Sequence, residues 1–210
     1  RMLLILACVF PLAELAAAQN GGNSAAAGKT AEQRAAEGDV AAMMELGDRY
    51  RTGDGVAIDL ERALAWYARA AEKDDVNALY FVGIIHMSRP GAEAQVRALD
   101  ALKKAAALCE NETNRPTCNP MHIYRPLGVV QKENSLYSDA IVSVKKALAI
   151  AEDPAAPDDL TAAYLYEDLG IVYEVLRFSA DSLAAHEKAE ALHRKVGTTD
   201  ARTLANLLLN

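Results

Sequence analysis

Residues 42–72 read AMMELGDRYRTGDGVAIDLERALAWYARAAE. Apolar and small residues fall three or four apart from Ala42 to Tyr50 and again from Leu60 to Ala71, the spacing of two amphipathic helices. Between them Gly53-Asp54-Gly55-Val56 supplies glycines that take positive φ and reverse the chain. Neither helix can cover its apolar face alone. A recurring helical hairpin buries that face by stacking on copies of itself, so function is sought on surfaces before pockets.

Copies are present on both sides. Leu46-Gly47 and Tyr50 return as Val82-Gly83 and His86 at an offset of 36, whereas Ala63-Leu64 and Arg69-Ala70-Ala71 return as Ala98-Leu99 and Lys104-Ala105-Ala106 at 35. One residue is therefore missing from the second connecting loop. Arg34-Ala35-Ala36-Glu37 matches Arg69-Ala70-Ala71-Glu72 at 35 and leaves half a repeat at the front. Further on the period is 42: Leu127-Gly128-Val129-Val130 pairs with Leu169-Gly170-Ile171-Val172, and Lys146-Ala147 with Lys188-Ala189.

The order from Ala42 to Glu72 resembles the Sel-one-like repeat family, and the 42-residue units resemble the tetratricopeptide repeat (TPR), with LYEDLGIVYEVLRFSADSLAAHEKAEALHRKVG similar to its kinesin-light-chain type. The resemblance implies an all-α, right-handed α-solenoid of stacked antiparallel hairpins, Sel-one-like over 31–118 and TPR over 119–210, with the last repeat incomplete. Ser135 and Arg177 stand where the family has a mid-repeat glycine. Gln131 stands where Tyr173 keeps the family tyrosine.

Composition agrees. Of 210 residues 51% are hydrophobic, mostly alanine and leucine, and 6% aromatic, as helix packing on helix needs. No stretch alternates with period two. A net charge of −7 with both signs interspersed disfavours nucleic acid and anionic membrane surfaces, which need a basic footprint.

The first residues differ in character. Met2–Leu12 is apolar but too short to span a bilayer, and Ala16-Ala17-Ala18 precedes Gln19, the layout of a secretory signal peptide over 1–18. Ile5-Leu6-Ala7-Cys8 also resembles a lipoprotein box, but the chain stays apolar through Leu15, so plain cleavage is favoured over a lipid anchor at Cys8. Residues 19–30 read as a flexible linker. Gly28-Lys29-Thr30 lacks the glycine that a phosphate loop needs at Asn23. Periplasmic or secreted location follows as the expectation.

In that setting Cys109 and Cys118 are candidates for a disulfide clipping the end of one repeat to the start of the next, where Asn119 caps and Pro120 opens a helix. Two separate thiols are the alternative. Asn111-Glu112-Thr113 is a glycosylation sequon.

Chemistry is sparse. His186 and His193 with Glu190 share a helix face, but about 10 Å along the axis is too far for one metal, so a solvated face is expected. Asp74-Asp75 and Asp158-Asp159 fall in turns as helix caps, and Trp66 and Tyr67 as hairpin packing. No hydrolase elbow, metalloprotease motif or dinucleotide fingerprint occurs. No enzyme, cofactor or metal is expected.

Aligning Gly128 and Gly170 with the family's first-helix glycine, the resemblance places His122, Arg125, Val129, Lys132 and Glu133 on the inner face of the curve, beside Tyr164, Glu167, Ile171 and Glu174. That mixture suits another protein or an extended peptide of mixed charge. Pro126 would bend that wall or delay its helix. Leucines in 203–210 suggest a further helix or self-association. The expected function is a non-catalytic scaffold or adaptor of the bacterial cell envelope; the alternatives are an envelope enzyme or regulator of a cell-wall enzyme, and an architectural homo-oligomer.

Overall fold

The computed structural model describes residues 29–110 and 118–197. The signal segment, Cys8, the sequon and the C-terminal leucines lie outside the described residues. Within them the chain is helical, without strand: α1 (Ala31–Ala36), α2 (Val40–Thr52), α3 (Leu60–Ala71), α4 (Val76–Met87), α5 (Ala92–Glu110), α6 (Pro120–Glu133), α7 (Tyr137–Ala151), α8 (Asp159–Val175) and α9 (Ser179–Val196). Each packs on the next, and α6 also touches α4 and α8. The result is an α-solenoid with the first helices of successive hairpins, α4, α6 and α8, side by side.

Glycine sets the closeness of every hairpin. A Cβ on Gly47 would lie 2.5 Å from the Tyr67 ring, and one on Gly170 2.5 Å from the His186 ring. Gly83 meets Leu102 and Gly128 meets Val144 in the same way. Large side chains from the second helix thus fill the space a side chain on the first would need. Tyr67 is fully buried, donates its hydroxyl hydrogen bond to Asp48 at 2.8 Å and stacks on Phe81 at 4.8 Å. Its partner in the sequence motif, Trp66, is half-buried beneath the Arg69 guanidinium.

Turn chemistry explains the helix limits. Asp39, Asp59, Asp75 and Asp158 each cap a helix by accepting a backbone N–H three residues on, at 2.7–3.2 Å. Asp74 instead takes a left-handed φ of 59°, and Asp159 opens α8 and pairs with Lys195 at 2.7 Å. In the second hairpin Ala94 stands where Asp59 caps the first, so α5 begins earlier, at Ala92. The missing loop residue is part of a wider change in which loop becomes helix. Ser135 and Arg177 adopt φ of 60° and 62°, the conformation glycine supplies elsewhere. Pro126 sits inside α6, which still starts at Pro120; its ring leaves the His122 carbonyl without the usual intrahelical donor.

A second fastening repeats at 42 residues. Tyr124 donates its hydroxyl hydrogen bond to Glu110, which Lys146 also reaches, with the ammonium 5.0 Å from the Tyr124 ring. Tyr166 donates to Glu152 at 2.6 Å, and Lys188 donates to the Tyr166 hydroxyl at 3.2 Å while standing 4.9 Å from its ring. Each latch ties the end of one second helix to the hairpin that follows. Lys146 first, then Tyr124, holds the Glu110 carboxyl below the usual carboxylate range. Lys104 to Asp74, at 2.6 Å, and Arg69 to the Ala35 carbonyl, at 3.3 Å, occupy the same place earlier in the array.

Candidate functional site

Helices α6 and α8 run side by side in one direction, since Arg125 meets Tyr164 near their starts and Lys132 meets Asp168 further along. Spacings of three and four residues bring His122, Arg125, Val129 and Lys132 to one face of α6, and Tyr164, Asp168, Ile171 and Val175 to one face of α8. His122, Arg125, Glu133, Tyr164, Ile171 and Glu174 are exposed. Val129, Lys132 and Glu167 are half-buried.

Arg125 stands 5.5 Å from the centre of the Tyr164 ring, a cation–π distance. Asp158 lies close enough to feel the same guanidinium. Its carboxyl is held below the usual carboxylate range chiefly by the Thr161 backbone and hydroxyl, with Arg125 adding to them. Tyr164 in turn meets the His193 ring edge-on at 5.3 Å.

Two residues expected as free contacts are ties between helices. Lys132 donates to Asp168 at 2.5 Å, both largely covered. Glu167 meets Nε2 of His193 at 3.0 Å. That bond corrects the solvated face expected for His186, Glu190 and His193: only Glu190 is exposed, His193 is buried, and the His186 ring packs over Gly170. His193 continues the buried stripe Ser182, Ala185 and Ala189 of α9 at a spacing of four. The stripe was a signal for its burial; the seven-residue spacing to His186 was not.

Asp158, Asp168 and His193 join the face without having been singled out as contacts from the sequence. Asp168 sits four residues from Tyr164, one turn along the same side. Among the described residues no group of three or more His, Cys, Asp and Glu is placed to hold a metal ion, and no helix is long and apolar enough to cross a membrane. Cys109, near the end of α5, and Cys118, just before α6, have Cα atoms 5.9 Å apart, within reach of one another for a disulfide.

Residues 40–75 match the Sel1 repeat. Among solved structures the fold is similar to MamA, with TM-score 0.58 and 19% identity over 81% of this chain and 98% of that one. It is also similar to c5321, a protective antigen present in uropathogenic Escherichia coli strains displaying an SLR fold, with TM-score 0.53 and 20% identity over 85% of this chain and 38% of that one. No curated protein sequence matches the chain. One Sel1 repeat match, set within a longer stack of glycine-packed helical hairpins, and the likeness to these two structures show that the described residues form an all-helical repeat solenoid.

Proposed function

We propose that the protein is a non-catalytic interaction scaffold of the bacterial cell envelope, holding a partner protein or extended peptide against the face made by α6 and α8. The observation that carries this reading is the exposed set His122, Arg125, Tyr164 and Ile171, seated on adjacent helices whose positions are fixed by Lys132–Asp168 and Glu167–His193. Contact groups held by covered ties lose little freedom on binding. Arg125, with His122, lies towards the start of α6, and Glu133 and Glu174 lie towards the ends of α6 and α8, so the fitting ligand is a peptide with an acidic and a basic end. Residues 31–118 serve as the Sel1-like part and 119–210 as the TPR part, following a signal segment over 1–18 and a linker over 19–30. The nearness of Cys109 and Cys118 supports a disulfide and, with it, a periplasmic or secreted location.

The test is crosslinked capture from native envelope with Arg125→Glu combined with Tyr164→Ala. Capture should fall at least about tenfold, equivalent to about 1.4 kcal/mol, with the thermal melt unchanged. Undiminished capture by the folded variant would remove the assignment.

A further inference from the structure

The opposite side of the last two hairpins carries a groove of about 330 Å³ between α7 and α9, floored by α8. That volume is at the low end of the range for ligand sites, about 300–1,000 Å³, and has room for the anchoring side chains of a larger partner. Leu148, Ala149, Leu169, Ala184 and Ala185 make an apolar trough along its middle. Tyr173 closes one end and Tyr166 the other.

The walls are patterned. Along α7 and its C-cap the lining runs Lys145, Leu148 and Ala149, Glu152; on α9 it runs Asp181, Ala184 and Ala185, Lys188. Both follow a spacing of i, i+3/i+4, i+7, so a charge flanks the trough every two turns. Gly128 packs against Val144 and Gly170 against His186 in antiparallel hairpins, while α6 and α8 run in one direction; α7 and α9 therefore also run in one direction. Lys145 and Asp181 then stand across the groove at one end, and Glu152 and Lys188 at the other. Glu152 and Lys188 are already joined to the Tyr166 hydroxyl. Lys145 and Asp181 have no hydrogen-bond or ion-pair partner among the described residues, which leaves one cation and one carboxylate ready for an incoming chain.

We infer that this groove is a second docking site, separate from the α6/α8 face, and that its occupant is an amphipathic helix of a partner protein. The helix lies along the groove with aliphatic side chains in the trough, an acidic residue on its α7 flank facing Lys145 and a basic residue on its α9 flank facing Asp181. A helix is favoured over an extended strand because the wall charges and the trough residues recur with helical period, so an aligned helix meets them turn after turn.

The internal repeat supplies the means of testing it. At the position of Ala184 the preceding repeat has Val142, which is exposed on the same side of α7, so valine at 184 fills the trough with a residue this architecture already accepts. The probe is a labelled, amidated peptide of roughly 14 residues, long enough to be helical when bound, with leucines at every third or fourth position and, at one end only, a glutamate on one flank and a lysine on the other. Titrated by fluorescence anisotropy against the full chain, it should bind saturably and about tenfold tighter than a scrambled peptide of the same composition. Ala184→Val should weaken it about tenfold, and Lys145→Glu with Asp181→Lys should shift preference, by about 2–5-fold, to a peptide with its flank charges exchanged. Absence of saturable binding, equal binding of the scrambled peptide, or insensitivity to both sets of variants overturns the proposal. So does binding that is lost instead with Arg125→Glu and Tyr164→Ala, which would place the peptide on the α6/α8 face. The charge exchange lies on the surface and reads out even if Ala184→Val impairs folding.

Discussion

The first full hairpin, α2/α3, and the last, α8/α9, apply one packing rule through two kinds of turn. In the first, seven residues, 53–59, separate the helices, Asp59 caps the second, and Gly47 meets Tyr67 twenty residues on. In the last, three residues, 176–178, separate them, no side chain caps the second helix, and Gly170 meets His186 sixteen residues on. The four extra loop residues account for the whole difference in where the glycine finds its partner. Loop length therefore sets how far along the chain the glycine finds its partner, while the longer period of the later units comes from their longer helices, 17 and 18 residues in α8 and α9 against 13 and 12 in α2 and α3. The α4/α5 hairpin is intermediate: its loop has shrunk to 88–91 because helix has grown into it.

The sharpest way to break the comparison is to put a side chain on each glycine. Gly47→Val drives two methyl groups into the fully buried Tyr67 and should destabilise the fold by about 3 kcal/mol. Gly170→Val meets the half-exposed His186, which can swing aside, and should cost about 1–2 kcal/mol. Equal losses in paired chemical-denaturation curves would show that the two hairpins are not packed with different tolerance.

Next in size are the ties beneath the α6/α8 face. Glu167→Ala removes an acceptor from buried His193 and should lower stability by about 2 kcal/mol, whereas alanine at exposed Glu174 on the same helix should change it by less than about 0.5 kcal/mol. Calorimetric midpoints for the two variants check this directly. It also means that binding studies should leave Lys132 and Glu167 untouched, because their loss would mix folding with recognition.

Smaller effects should come from the left-handed residues. Ser135→Gly and Arg177→Gly relieve unfavourable φ in the tight turns and should each stabilise by about 1 kcal/mol. Asp74→Gly relieves the same strain but loses the 2.6 Å pair with Lys104, so its gain should be smaller. A reversed order in urea titrations would mean that φ does not govern these turns.

The last effect concerns acid. His86 occupies the register of Tyr50 and Tyr173, is buried, and its Nδ1 has no hydrogen-bond partner. Burial first, then the charges of Arg89 and Arg97, holds its imidazole below the ordinary histidine value. The folded state thus keeps His86 neutral while the unfolded chain takes up a proton near its ordinary value of about 6.5. Stability present above that pH is lost as the medium is acidified towards the lower folded value. His86→Gln, the residue type found at Gln131, should flatten this part of a stability–pH profile, and an unchanged slope would assign it to other groups.

Much of this was readable from residue types and spacing. The 36- and 42-residue offsets locate the hairpins, the aspartates mark helix starts, and Asn119-Pro120 marks the start of α6 because capping and proline chemistry are local. Trp66-Tyr67 reads as packing for the same reason: its place in the repeat fixes which way it points. What escaped was decided across helices. Whether Lys132 is free depends on Asp168, 36 residues away, and whether Glu167 is free depends on His193 on another helix. Binding faces suffer most from this, since polar residues that hold helices together look the same in sequence as those that wait for a ligand.

The latches spaced at 42 residues carry a consequence for how the molecule comes apart. Arg69, Lys104 and Lys146 each reach back one unit and no further, and Lys188 holds Tyr166, which makes the same reach to Glu152. Detaching the terminal hairpin therefore releases its own latch and leaves the earlier ones closed. Proteolysis under mild denaturation should peel hairpins from a free end, yielding fragments that differ in length by whole units.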